Sequence, residues 1–249
     1  MKRSLVGLTV VLVGCAGAEP VQSAADVVQA MHDRYADVWY ETLTFVQDAI
    51  FYDDAGAVRD TQQWWEAGHL PGRLRIDPEP FEDRRASVYA NDSVYSFRDG
   101  ALAGARPGLN SLLVLGFDVY AQSPARTVEQ LETLGFDLTK FREDEWQGTP
   151  VYVVGADAGD AHSRQFWVDR ERLLFLRLLQ PAGQDGAGTQ EIQFNKYEPL
   201  GGGFIAPEVV FTVDGRVTFL EVYRDMRADV ELGDELFATD RYRAPGWAQ

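Results

Sequence analysis

Cysteine occurs once among the 249 residues, at position 15, so the chain can close no internal disulfide and has to rely on an apolar core. Lysine is almost missing, three residues beside twenty arginines, and acidic residues outnumber basic ones 39 to 23 for a formal charge of −16. A surface of that sign repels phosphate backbones and anionic headgroups, which argues against nucleic acid as a partner. The three histidines, His32, His69 and His162, have no metal-pair spacing, so no metal or other cofactor is expected. There is no Gly-x-Ser-x-Gly elbow, no His-Glu-x-x-His run and no phosphate-binding Gly-rich loop followed by Lys. Catalysis is therefore not expected. No apolar run after residue 15 is long enough to span a bilayer, which predicts a soluble body.

The first fifteen residues are a different kind of segment. Lys2 and Arg3 precede an apolar run too short for a stable spanning helix, and it ends in Leu12-Val13-Gly14-Cys15. That order resembles a bacterial lipoprotein signal with its lipobox. It predicts a signal over 1–14, a diacylglycerol on the Cys15 sulfur, and a tether over 15–22, with the membrane reached through the lipid. The alternative is an ordinary secretory signal whose cysteine is incidental. Ala16 after the cysteine, in place of Asp, resembles the pattern of lipoproteins sent on to the outer membrane.

Beyond the tether the hydrophobic period separates helix from strand. Val27, Val28, Met31, Tyr35, Val38 and Trp39 recur at spacings of three and four, which predicts a helix over 23–40 with Ser23 and Asp26 as its cap. From residue 42 the period becomes two, and turn residues recur: Asp53-Asp54-Ala55-Gly56, Asn91-Asp92, Arg98-Asp99-Gly100. About eleven strands are predicted, with a helical pair over 109–119 and 127–134 inserted among them. The fold class is α+β, mainly antiparallel, as a single domain over 23–249.

Several groups invite a chemical reading. Asp53-Asp54, Glu82-Asp83 and Glu143-Asp144-Glu145 resemble acid pairs or calcium ligands, but their turn-rich neighbours favour solvated acids. Gly201-Gly202-Gly203 precedes a strand instead of a helix, so it reads as a flexible turn. Trp39, Phe45, Phe51, Leu74, Leu112, Leu115 and Phe166 are expected to line a core or an apolar cavity between sheet and helices. The stretch 109–117 is apolar nearly all round, which makes it a buried segment or a lid over a greasy ligand.

The mature body resembles the LolA/LolB-like family of outer-membrane lipoprotein-sorting proteins. The likeness rests on the helix leading into Thr42-Leu43-Thr44-Phe45-Val46-Gln47, on Leu70-Pro71-Gly72-Arg73-Leu74-Arg75, on Asn91-Asp92-Ser93-Val94-Tyr95, on Gln165-Phe166-Trp167-Val168-Asp169 and on the closing Asp234-Glu235-Leu236-Phe237. The resemblance implies an unclosed half-barrel with helices on its concave face and a hollow that accepts acyl chains of lipids or lipoproteins. Leu70 stands where the carriers commonly have arginine, and Arg73 and Arg75 fall on the face read as polar. A lipid-anchored relative would receive or hold its ligand, since it cannot shuttle. The competing reading is a sensor or interaction module, the same fold binding an envelope protein.

Overall fold

The computed structural model describes residues 20–183 and 186–248. Cys15, with the signal and most of the tether, lies outside the described residues. The first helix, α1 (Ala24–Tyr35), begins where its cap is satisfied. Ser23 Oγ accepts the Asp26 N–H at 3.2 Å, and the Asp26 carboxylate accepts the Gln22 N–H at 3.0 Å. Its stripe of Ala24, Val27, Val28, Met31 and Tyr35 is buried. The helix stops at Tyr35 and does not run to Tyr40, because the chain turns to carry Trp39 and Tyr40 into the core, leaving Val38 54% exposed.

Six strands follow: β1 (Thr42–Tyr52), β2 (Val58–His69), β3 (Arg73–Pro78), β4 (Ala86–Ala90), β5 (Ser93–Arg98) and β6 (Ala101–Pro107). Two short helices, α2 (Ser111–Gly116) and α3 (Pro124–Thr133), come next. The rest is β7 (Phe141–Trp146), β8 (Thr149–Val154), β9 (Gln165–Asp169), β10 (Phe175–Ala182), β11 (Gly188–Asn195), β12 (Glu198–Leu200), β13 (Gly203–Ile205), β14 (Glu208–Val213) and β15 (Arg216–Ala228). Thirteen strands form one antiparallel sheet, in the order β6-β5-β4-β3-β2-β1-β15-β14-β11-β10-β9-β8-β7, and β12 pairs with β13 as a separate ribbon. The end strands β6 and β7 do not pair, so the sheet is an open half-barrel.

Local chemistry explains the hairpins. The β4–β5 and β7–β8 connections are two residues long, Asn91-Asp92 and Gln147-Gly148, and each has positive φ at both positions. That is the type I′ geometry whose twist matches paired strands. Fifteen strands are present where about eleven were expected, and one of the additional strands, β6, was unreadable for a physical reason. The edge strand β6 is exposed along its whole length, so Ala-Leu-Ala-Gly-Ala-Arg-Pro shows no alternation to read.

The period of two divides the residues of the sheet between two faces. On the inner face Leu43, Phe45, Phe166, Leu178, Phe194 and Tyr223 pack with α1, α2 and α3 in the main core. On the outer face Ala67, Ala86, Val88 and Phe97 form a second core beneath the C-terminal segment, with Leu236 and Phe237 buried against them and Tyr242 and Trp247 alongside. Arg75 belongs to that second core. Its placement on a solvated polar face is overturned: it is 1% exposed, binds Asp77 through two contacts of 2.7 Å, and donates to the carbonyls of Leu236 and Arg243. The C-terminal segment covers what strand alternation reads as an outward face.

The triple glycine also differs from expectation. It forms the β12–β13 turn, and that turn is tightly packed: a Cβ on Gly203 would fall 2.3 Å from the Trp39 ring, and one on Gly202 would meet the Val38 carbonyl oxygen at 1.7 Å. Only glycine fits this approach.

Candidate ligand-binding hollow

Between the inner face and α2 lies a hollow of about 80 Å³, formed where β1, β2, β3, β11 and β15 face the helical cover. Its apolar wall is Leu43, Phe45, Leu70, Leu74, Leu112, Leu113 and Phe194. Phe45, Leu74 and Leu112 are thus brought together in the wall. Trp39, Leu115 and Phe166 are buried in the main core away from it. Trp39 packs against Tyr120 with ring centroids 4.0 Å apart, and Phe166 meets Phe136 edge to face at 5.4 Å.

Phe51 has a different setting. It is half-buried at the end of β1, stacked on Phe219 at 4.7 Å and 6.1 Å from Trp64, while Phe211 lies 5.1 Å from Phe219. These four rings make an aromatic rim, and Trp64 is shared between the rim and the hollow. Strand register orders the rows. Phe51 lies opposite Phe219, Ala49 opposite Glu221, and Gln47 opposite Tyr223; across the other ladder Gln47 faces Trp64 and Phe45 faces Glu66.

The register therefore sets two acids, Glu66 and Glu221, one step inward of the rim, where strand reading by parity had singled out neither. Burial, reinforced by the charge of Glu221, holds the Glu66 carboxyl well above the ordinary range. Burial pushes Glu221 up to about 7, against the Tyr223 hydroxyl, which donates to it at 2.6 Å. Gln47, 1% exposed, is near Glu221, yet its amide nitrogen reaches no acceptor in hydrogen-bonding geometry. A usable signal existed in the sequence: Glu66 shares its strand face with Trp64, and Glu221 shares its face with Phe219 and Tyr223, so both acids point where the aromatics point.

Several hydrogen bonds tie the cover to the sheet: the Phe175 N–H of β10 donates to the Tyr120 hydroxyl at 3.0 Å, and Arg126 and Gln130 of α3 donate to Asp92 in the β4–β5 turn. Asp118, which starts the short helical turn Asp118–Tyr120 after α2, accepts the Gly72 N–H at 2.9 Å. Burial pushes its carboxyl up to about 7. α2 itself is capped by Asn110, whose side chain accepts the N–H groups of Leu112 and Leu113.

The other candidates are engaged elsewhere. His69 Nδ1 contacts Arg73 at 2.7 Å, His162 Nδ1 contacts the Thr189 hydroxyl at 3.1 Å, and His32 Nδ1 lies 3.2 Å from Asp33. Asp53 accepts the Ala55 and Ala57 N–H groups within its turn, and Glu143 and Asp144 on β7 pair with Arg170 and Arg142. Among the described residues no group of His, Cys, Asp and Glu is arranged to hold a metal.

Three solved structures share this architecture. A putative outer membrane lipoprotein-sorting protein domain from Vibrio parahaemolyticus matches with a TM-score of 0.56 at 14% identity, over 86% of this chain and 95% of that one. A LolA superfamily protein from Nitrosomonas europaea matches with a TM-score of 0.53 at 12% identity, over 88% of this chain and 99% of that one. The chain has the LolA-like fold. A DUF1329 family protein from Desulfovibrio piger shares the LolA-like architecture to a similar degree, with a TM-score of 0.55 at 14% identity over 86% of this chain and 95% of that one. The sequence matches no protein-family model and no curated protein sequence. What is shared with these LolA-like structures is the backbone plan, which holds at identities where side chains have diverged.

Proposed function

We propose that the protein is a non-enzymatic envelope lipoprotein, anchored through Cys15 at the periplasmic face of the outer membrane, that holds an acyl chain or similar apolar ligand between its sheet and α2. One observation carries the reading: an apolar hollow walled by Phe45, Leu74 and Leu112 that continues into an aromatic rim. Moving an acyl chain from water onto such a surface is favourable by about 25 cal/mol per Å² of apolar area. At about 80 Å³ the hollow takes only a short segment of chain, so a longer ligand requires α2 to swing away from the sheet. The structural neighbours supply context, one being described as a lipoprotein-sorting domain. An anchored protein with this hollow would act as a holder or receiver of lipid or lipoprotein acyl chains.

Native mass spectrometry of the protein released under mild conditions tests the reading. Bound fatty acid or lipid that is lost on Leu112→Arg supports it. An interior that remains empty after incubation with fatty acids and phospholipids ends it.

A second reading has its own observation. The edge strand β6 is exposed throughout and bears only Arg106 as a charge, whereas the opposite edge β7 carries Glu143, Asp144 and Glu145. Charged edges resist strand addition, and plain ones accept it. An envelope protein docking an extended segment on β6 would make the chain an interaction module. Cross-linking from position 104 to a partner, in protein that contains no lipid, is the outcome that favours this reading.

A further inference from the structure

The polar side chains that line the hollow fall into two groups. Trp64 Nε1 donates to the Gln62 side chain at 3.0 Å, Asn110 takes the Leu112 and Leu113 N–H groups, and the Tyr223 hydroxyl donates to Glu221 at 2.6 Å. These are answered within the chain. Gln47 and Glu66 are not. The Gln47 amide nitrogen is buried without an acceptor, and among the described residues no other buried side-chain atom lacking a partner belongs to the lining. Glu66, 5% exposed, makes no hydrogen bond or ion pair with any described residue.

The strand register puts these two side by side. Gln47 lies opposite Trp64, and Glu66 is two residues further along β2 on the same face, so the pair are diagonal neighbours. Such neighbours stand about 7–8 Å apart, which leaves room for one oxygen between them that both side chains bond. A buried amide left unanswered is costly, and a ligand atom in that gap recovers the loss.

Both groups call for an acceptor. The Gln47 nitrogen only donates, and burial, which holds the Glu66 carboxyl well above the ordinary range, keeps the proton that makes it a donor too. None of the lining residues is Lys, Arg or His, so a carboxylate or phosphate would lose its water without gaining a counter-charge. An ammonium offers Gln47 nothing to bond to, and an alcohol adds a donor to two already present. A carbonyl oxygen carries two lone pairs and no proton, which matches two donors.

We propose that the hollow seats the carbonyl oxygen of an acyl ester between the Gln47 amide and the Glu66 carboxyl, with the adjoining carbons of the chain against Phe45, Leu74 and Leu112. This rests on the apolar-ligand reading above and names the point at which that ligand is held. A volume of about 80 Å³ suits the short segment that carries the ester.

The test uses the full chain in nanodiscs of dialkyl phosphatidylcholine, a lipid without esters, and two diazirine-bearing probes of equal length, a methyl ester of a fatty acid and the corresponding alkyl methyl ether. After irradiation the labelled peptides are identified by mass spectrometry. The ester is expected to label β1 and α2 about tenfold more than the ether, a ratio set by two hydrogen bonds to a carbonyl oxygen. Gln47→Leu or Glu66→Leu alone should cut that preference to about threefold, and the two together should erase it while leaving ether labelling in place. Equal labelling of the wild type by both probes overturns the carbonyl seat and leaves the apolar-ligand reading standing. Labelling by neither overturns both. Should the double variant fail to fold, either single variant reads the same preference; an undiminished ester preference in any folded variant overturns the proposal.

Discussion

The carboxylate of Asp118 accepts the backbone N–H of Gly72 at 2.9 Å, joining the helical cover to the turn between β2 and β3. This acid is buried, and its carboxyl ionises only at about 7, against an ordinary 3.8. The contact therefore depends on pH near neutrality.

The sign follows from proton binding. Between about 4 and 7 the folded chain keeps a proton on Asp118 that the unfolded chain has released, so this group's contribution to stability is greatest below 4 and falls as pH rises to about 7. Glu221, raised from 4.5 to about 7, acts in the same direction. Asp118→Asn keeps an acceptor for the Gly72 N–H without the charge. Its thermal midpoint should exceed that of the wild type by more at pH 8 than at pH 5. One pKa unit corresponds to about 1.4 kcal/mol, so the gain is a few kcal/mol. An equal difference at both pH values would show that Asp118 does not titrate as its burial dictates.

Arg75 and Asp77 form a sealed pair beneath the C-terminal segment. Arg75→Met strands Asp77 and should cost about 3–5 kcal/mol in urea unfolding, most of which returns in the double variant Arg75→Met with Asp77→Leu. Ending the chain at residue 230 should destabilise it further, since the outer core around Val88 and Phe97 then meets water. A variant that unfolds at the wild-type urea concentration after either change would argue against a structural outer core.

Gly116 closes α2 against Phe194, and a Cβ there would stand 2.7 Å from that ring. Gly116→Ala should cost about 1–3 kcal/mol through overpacking. Phe194→Leu placed in the same chain should recover part of it, read as a double-mutant cycle by thermal unfolding. Additive losses would mean that the ring can move aside without strain.

Cys15 is tested chemically. Metabolic labelling with a radioactive fatty acid should mark the wild-type protein and leave Cys15→Ser unmarked. Equal incorporation in both would place the lipid elsewhere or leave the cysteine as an incidental residue of a secretory signal.

How far the fold could be read in advance follows from how local each signal is. Ser23 with Asp26 fixed the start of α1, Asn91-Asp92 fixed a hairpin, and the alternation through Leu43, Phe45 and Phe51 marked one face of β1. Strand β6 escaped because a fully exposed edge has no apolar face to alternate with. Arg75 misled because alternation reports which side of the sheet a residue takes, and says nothing of whether a distant segment covers that side. In the hollow, Phe45, Leu74 and Leu112 share a wall as residues of an apolar periodicity can. Glu66 and Glu221 were harder: a charged residue in a strand reads as outward, and only the long-range register that sets β15 beside β1 brings the two near one another.

That register has a consequence for how the chain comes to be folded. The centre of the sheet joins residues 43–51 to residues 219–228, so the earliest strand finds its final neighbour only when almost all of the chain is present. Pairings this remote in sequence make folding slow and keep an edge open meanwhile. A polypeptide threaded through a membrane in order, from its first residue to its last, would arrive outside still short of its central seam. For a chain exported as proposed above, the same wiring that delays the native sheet would keep it fit for passage, and the exit side, where residues 216–228 emerge, would be the place where the structure is first able to close.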